Sequence, residues 1–280
     1  MRSSDFALQC PVCGLPLQKE TGRYRCVKNH CFDCARSGYV NLLLRQSHRL
    51  RGDDPAMVSA RRSFLEKGYY RPLLEAAGEV LLRECGTSSP VVLDVGCGEG
   101  WYSRLLTQQL AENGRKPVLV GVDISPSALQ YAAKRAAETL SCEHHWAVAS
   151  INRLPAADAS VQLLLNFFAP CEPKEFARVL HPQGVLLRAI PLEKHLWELK
   201  EAVYAQPYEN RPVIAAPEGF VLSDMRRIAY TVTLSGEDLA ALFDMTPYAR
   251  KTAPADREKL LGVEHLTIQL AFGLLVCRRQ

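Results

Sequence analysis

The sequence contains no run of about 18 apolar residues, the length a helix needs to cross a bilayer, so no membrane span is expected. Its opening residues, Met1-Arg2-Ser3-Ser4-Asp5, hold no apolar signal core and meet cysteines soon after, so a cytoplasmic chain is expected. No internal repeat or low-complexity tract is present, which excludes a solenoid or a biased linker. Net charge is also small: 34 Lys and Arg stand against 30 Asp and Glu in 280 residues, leaving +4. With 48% apolar residues the chain can bury a sizeable core, as one large domain or one domain plus a small appendage.

The small net charge hides an uneven distribution. Residues 1–75 hold 13 basic and 7 acidic side chains, a balance of +6; the remaining 205 hold 21 and 23, a balance of −2. A basic first quarter on a slightly acidic body suggests an anionic partner, of which nucleic acid is the usual kind. A solvated surface that happens to be basic is the alternative.

Residues 1–44 read as a turn-rich module with short strands near Tyr24–Val27 and Tyr39–Leu44. A basic connector follows, Arg45-Gln46-Ser47-His48-Arg49-Leu50-Arg51, and Asp54-Pro55 signals a helix start. Helices are expected over Ala56–Lys67 and from Pro72 to Leu82, the second with Leu73, Ala77 and Leu81 on one face. Residues 45–90 are therefore a connecting segment and residues 91–280 the main domain. From Val91 strands and helices alternate. Strands are expected at Val91–Val95, Val118–Val122, Trp146–Ala149, Val161–Phe168 and Val185–Ile190. Helices are expected at Trp101–Leu110, from Ser125-Pro126 to Leu140 and at Glu172–Leu180. A turn falls at His181-Pro182-Gln183-Gly184, and a late strand contains Leu266, Ile268, Leu270 and Phe272. This order implies an α/β fold with a doubly wound, mostly parallel sheet.

Val92-Leu93-Asp94-Val95-Gly96-Cys97-Gly98-Glu99-Gly100 follows a strand and opens a helix. Glycines at this spacing let the backbone turn tightly and approach a ligand. Asp123, at the end of the next strand, is placed to accept the ribose hydroxyls of an adenosine. A nicotinamide dinucleotide uses a similar loop. Asp94 argues against it, because a carboxylate two residues before the first glycine faces a pyrophosphate badly and an ammonium well. The segment resembles motif I of class I S-adenosylmethionine (SAM) methyltransferases, and Asp123 resembles the motif II acid. That resemblance implies a Rossmann-like, seven-stranded, mostly parallel sheet.

Ten cysteines are unevenly placed, five of them between Cys10 and Cys34. In a reducing compartment such clustering reads as metal ligation. Cys10, Cys13, Cys26 and His30 make one tetrahedral zinc set; Cys10, Cys13, Cys31 and Cys34 make another. Spacing does not choose between them. A module this small needs such a staple.

The chain as a whole resembles the bacterial 23S ribosomal RNA (guanine-N1) methyltransferases. The likeness rests on Cys10 with Cys13, Cys26 with His30, Phe32-Asp33 and Gly38-Tyr39-Val40-Asn41-Leu42-Leu43. It continues through Gly52-Asp53, Ala60-Arg61-Arg62, Phe64-Leu65 and Gly68-Tyr69-Tyr70. Further on come Ala169-Pro170-Cys171, His195-Leu196, Glu198-Leu199-Lys200 and Met245-Thr246-Pro247. The resemblance implies a zinc-ribbon-like N-terminal domain held by Cys10, Cys13, Cys26 and His30, with Cys31 and Cys34 as extras. It implies SAM contacts at Tyr70, Gly98, Glu99 and His195, beside Asp94, Gly96, Gly100 and Asp123 of the glycine loop and its acid. It implies methylation of a guanine N1 in a hairpin loop of 23S ribosomal RNA, of the guanine-745 type, with zinc module and connector gripping the RNA. A dimer would let two basic modules flank one RNA. Gln162 and Asn166 depart from the pattern, and no carboxylate stands out as the base.

Overall fold

The computed structural model describes residues 6–44, 52–250 and 252–280; the expected connector Arg45–Arg51 lies outside them. The chain begins with three short antiparallel strands, β1 (Leu17–Glu20), β2 (Arg23–Cys26) and β3 (Cys31–Asp33). Next come β4 (Val40–Asn41) and helices α1 (Pro55–Glu66) and α2 (Arg71–Glu84). Asp54 caps α1 by accepting from the Met57 N–H at 2.9 Å. In α2 the expected stripe of Leu73, Ala77 and Leu81 is buried.

The alternating body then runs β5 (Val91–Val95), α3 (Trp101–Glu112), β6 (Val118–Asp123), α4 (Pro126–Thr139) and β7 (His144–Val148). It continues through β8 (Val161–Phe167), α5 (Pro173–Val179), β9 (Leu180–Pro191) and α6 (Trp197–Val203). It closes with β10 (Phe220–Ser235), α7 (Gly236–Asp244), α8 (Pro254–Glu258) and β11 (His265–Arg279). The strands form one sheet in the order β10-β11-β9-β8-β5-β6-β7-β4. β11 is antiparallel to both its neighbours, so it alone is reversed; the rest run parallel.

Seven of these strands are the expected sheet. The eighth, β4, comes from the N-terminal segment and pairs in parallel with β7, Val40 opposite Ala147 and Asn41 opposite Val148. That pairing covers an edge of the body sheet that would otherwise be open. The expected turn at His181–Gly184 is a break in the β8–β9 register: Val161 faces Leu180, and Leu163 faces Val185.

Side chains alternate through the sheet, so two cores form. Val92, Leu163 and Leu165 face the layer of α1, α2 and α3, whereas Leu93, Val95 and Leu164 face α5 and the N-terminal module. Strand order reverses between β5 and β8, which flank each other while leading to opposite sides of the sheet. Outside the carboxyl ends of such strands an open α/β sheet leaves a crevice.

Candidate active site and metal centre

The crevice at that point is a cleft of about 460 Å3 floored by the glycine loop. Gly96, Gly98 and Gly100 all lie in the left-handed region, at φ +77°, +55° and +75°. A Cβ on Gly96 would stand 2.4 Å from Ala169 Cβ, and one on Gly100 2.9 Å from Trp146. Only glycine lets this loop pass beneath a ligand and against its neighbours. Asp94, at the end of β5, is buried and accepts a hydrogen bond from the Ser103 hydroxyl at 2.5 Å. Burial raises its carboxyl to about 7. Asp123, at the end of β6, accepts from the backbone N–H groups of Gly98 and Ser125, each at 2.8 Å. Burial raises Asp123 and Glu99 above the usual carboxylate range as well.

Four carboxylates line this cleft (Asp53, Asp94, Glu99 and Asp123), with Arg61 as the one lysine or arginine among the lining residues. A pyrophosphate would meet net repulsion here. An adenosine bearing an ammonium group meets acceptors at both ends, so the donor set fits SAM and not a dinucleotide.

A second lobe of about 510 Å3 adjoins the first, sharing Asp53, Arg61, Leu65, Tyr102, Phe168 and Ala169. Tyr70, His195, Leu196, Met245 and Tyr248 are among its walls. His195 Nδ1 accepts from the Ala271 N–H at 3.2 Å, so the ring proton sits on Nε2. Burial lowers its pKa to about 3 and keeps the ring neutral. Its ring stands 4.7 Å from that of Phe272 and 6.3 Å from that of Tyr70. Phe168 directly follows β8 with φ +55°, strained for an aromatic residue, and remains 43% exposed in the cleft it divides. The Tyr102 hydroxyl, where the lobes meet, is buried without a partner.

The expected site residues therefore fall in two groups. Asp94, Gly96, Gly98, Glu99 and Asp123 line the first lobe, with Gly100 beneath them opening α3. Tyr70 and His195 line the second. Sequence reasoning gave no role to Asp53, Arg61, Tyr102 or Phe168. The first two lie far before the glycine motif, and the backbone angle of Phe168 has no sequence signal. Asn166, marked as a departure, is buried and donates to the Pro170 carbonyl at 2.9 Å, shaping the loop beside the cleft. Gln162 accepts from the Val91 N–H at 2.9 Å and serves the sheet. Burial raises the Cys171 thiol, which makes it a poor nucleophile.

In the N-terminal module two tight turns face each other. Gly14 N–H donates to Cys10 O at 2.8 Å and Asn29 N–H to Cys26 O at 2.8 Å, each turn ending in a left-handed residue. They bring Cys10, Cys13, Cys26 and His30 together, with all ligand atoms within 4.8 Å of one another. Cys13 and Cys26 sulfurs are 3.7 Å apart, and His30 Nδ1 is 3.5 Å from Cys10 Sγ and 3.4 Å from Cys26 Sγ. Zinc bonds of about 2.3 Å to sulfur and about 2.0 Å to nitrogen give tetrahedral edges of roughly 3.8 and 3.5 Å, so the four atoms fit one zinc ion. Cys31 is exposed on β3 and Cys34 lies beyond it, both outside this cluster.

A sheet with a single reversed strand, a glycine loop after its central β5, and an acid ending β6 define a class I SAM-dependent methyltransferase. Comparison with known proteins narrows the class. Residues 8–50 match the family described as RlmA, N-terminal, a zinc ribbon, and residues 92–184 match a methyltransferase domain. The chain is 32% identical over 281 residues to the 23S rRNA (guanine(748)-N(1))-methyltransferase of Streptomyces fradiae, covering 97% of this chain and 96% of that one. A Micromonospora griseorubida protein provisionally given the same guanine-N(1) designation is 34% identical over 275 residues, covering 89% of this chain and 88% of that one. Among solved structures, the MccD protein superposes with a TM-score of 0.47 at 18% identity, over 71% of this chain and 94% of that one. The chain belongs to the 23S rRNA (guanine-N1)-methyltransferase family.

Proposed function

We propose that this protein transfers the methyl group of SAM to N1 of a guanine in a hairpin loop of 23S ribosomal RNA in the cytoplasm. The observation that carries this reading is the pair of joined lobes. One is acidic and floored by glycines. The other is walled by Tyr70, Phe168, His195 and Tyr248 and opens onto the first at Phe168. In this reading the adenosine lies toward Asp123 and the methionine end passes over Gly96 and Gly98. Asp94 and Glu99 lie below that path, and Tyr70 and His195 face the methyl end from the second lobe. SAM supplies an electrophilic methyl group; the chain's task is alignment and removal of the N1 proton.

A guanine swung out of its stack fits an aromatic-walled lobe. His195 Nε2–H is a donor for a base oxygen. Tyr248, pushed up to about 12 by burial, also stays protonated. Asp53 is the one carboxylate among the lobe's lining residues, so we assign it the N1 proton. Cys10, Cys13, Cys26 and His30 hold zinc in the module that meets the RNA, and two such modules in a homodimer would flank one hairpin. The test is transfer of label from methyl-tritiated SAM to protein-free 23S RNA. Incorporation into RNA is expected. SAM binding with no RNA label would overturn the reading.

A further inference from the structure

Arg61 stands in α1, some 35 residues before the glycine loop, yet its guanidinium lies over that loop. Its Nε donates to Glu99 Oε2 at 2.6 Å and its Nη1 to Asp53 Oδ2 at 2.6 Å. Two of its nitrogens are thus pinned by carboxylates from different segments, and the plane of the fork is fixed. Nη2 forms no hydrogen bond among the described residues. It sits 2.9 Å from where a Cβ on Gly98 would be, so glycine at that position also makes room for the guanidinium. Burial alone would lower Arg61, but Glu99 and Asp53 outweigh it and hold the group cationic.

SAM carries a carboxylate as well as an ammonium group. The cleft offers the ammonium several acids, but among its lining lysines and arginines the carboxylate finds only Arg61. Arg61 is also common to both lobes, where the methionine end must lie if the methyl group is to point into the second lobe.

We infer that Arg61 is the clamp for the carboxylate of SAM, its free Nη2 edge presented over Gly98 by the Asp53 and Glu99 ion pairs. This deepens the cofactor reading above and rests on it. It also gives α1 a function: the helix delivers a cation to a loop that has none of its own. Since Asp53 orients this cation, the clamp and the group assigned to the N1 proton are joined in one ion-pair chain.

Decarboxylated SAM differs from SAM only in the group that Arg61 is assigned to hold. Titration calorimetry on the full chain with both ligands tests the clamp without turnover. The wild type should bind SAM roughly tenfold to hundredfold more tightly than its decarboxylated analogue, the range of a charge-assisted hydrogen bond. In Arg61→Gln that preference should fall to about onefold, with the decarboxylated analogue bound within about threefold of its wild-type affinity. Equal binding of the two ligands by the wild type overturns the clamp and needs no variant. Equal weakening of both by Arg61→Gln, with Arg61→Lys no better, also overturns it and leaves Arg61 a structural tie. A wild type that binds neither ligand overturns the cofactor reading beneath it.

Discussion

Asp94 is held at the end of β5 with its carboxyl raised to about 7 by burial. A carboxyl raised above its ordinary value is most stable protonated, so its contribution to folding is present at low pH and fades as pH rises toward 7. In the proposed cofactor site the ammonium of SAM meets Asp94 in its ionised form. Affinity for SAM should therefore rise between about pH 6 and about pH 8, with proton release on binding seen as a buffer-dependent enthalpy in calorimetry. Asp94→Asn should bind SAM at least tenfold more weakly and lose the pH slope, the loss of one charge-assisted contact. A slope that survives in the variant would assign the titration to Asp123 or Glu99. The glycines act at the same scale through space. A methyl group on Gly96 has nowhere to go, with Ala169 at 2.4 Å and the backbone at φ +77°.

At the scale of elements, the N-terminal module is tied to the body by more than β4. The buried Tyr24 hydroxyl meets His145 Nδ1 at 2.9 Å, the Gln9 N–H donates to Pro155 O at 3.0 Å, and the Leu42 N–H donates to Val148 O at 2.9 Å. Tyr24→Phe leaves a buried imidazole nitrogen without its partner, which should cost about 1–3 kcal/mol in denaturant unfolding. Zinc does separate work. Cys13→Ser should release the metal, measured by a chromogenic chelator, and weaken RNA binding more than tenfold in a gel-shift assay. SAM binding should stay within about threefold of wild type, because no zinc ligand lines the cleft. Joint loss of both would refute this division of labour.

Much of this was legible in the sequence, for physical reasons. The βα alternation and the Asp94-to-Gly100 motif are local patterns, and they place the sheet and its glycine loop. Three kinds of fact were not local. The zinc sets tied on spacing because distance along the chain does not say which way a turn faces; the paired turns at Cys10 and Cys26 decide it. β4 is two residues long, and its partner lies about 100 residues away, so its place in the sheet has no local signature. Asp53 and Arg61 were visible as part of a family pattern, but only the fold brings them to the cleft.

At the scale of the molecule, the zinc module and the cleft share one seam. A groove of about 630 Å3 runs between them, lined by Gln9, Pro11 and Leu43 on one side and Ser150, Arg153 and Arg178 on the other; Ser150 also lines the cleft. The described residues of the zinc module, 6–44, hold five basic and two acidic side chains, a balance of +3, which puts an electrostatic pull for a polyanion on the module's side of that seam. Among the described residues no helix is long and apolar enough to cross a membrane. The most direct test of this arrangement is reverse-transcriptase mapping of protein-free 23S RNA after incubation with the protein and SAM. A methyl group on N1 blocks the pairing edge of guanine. The expected result is a new stop immediately 3′ of one guanine in a hairpin loop, absent without SAM and strongly reduced with Asp94→Asn at limiting SAM. Incorporated methyl groups with no such stop, or a stop at a pyrimidine, would contradict it.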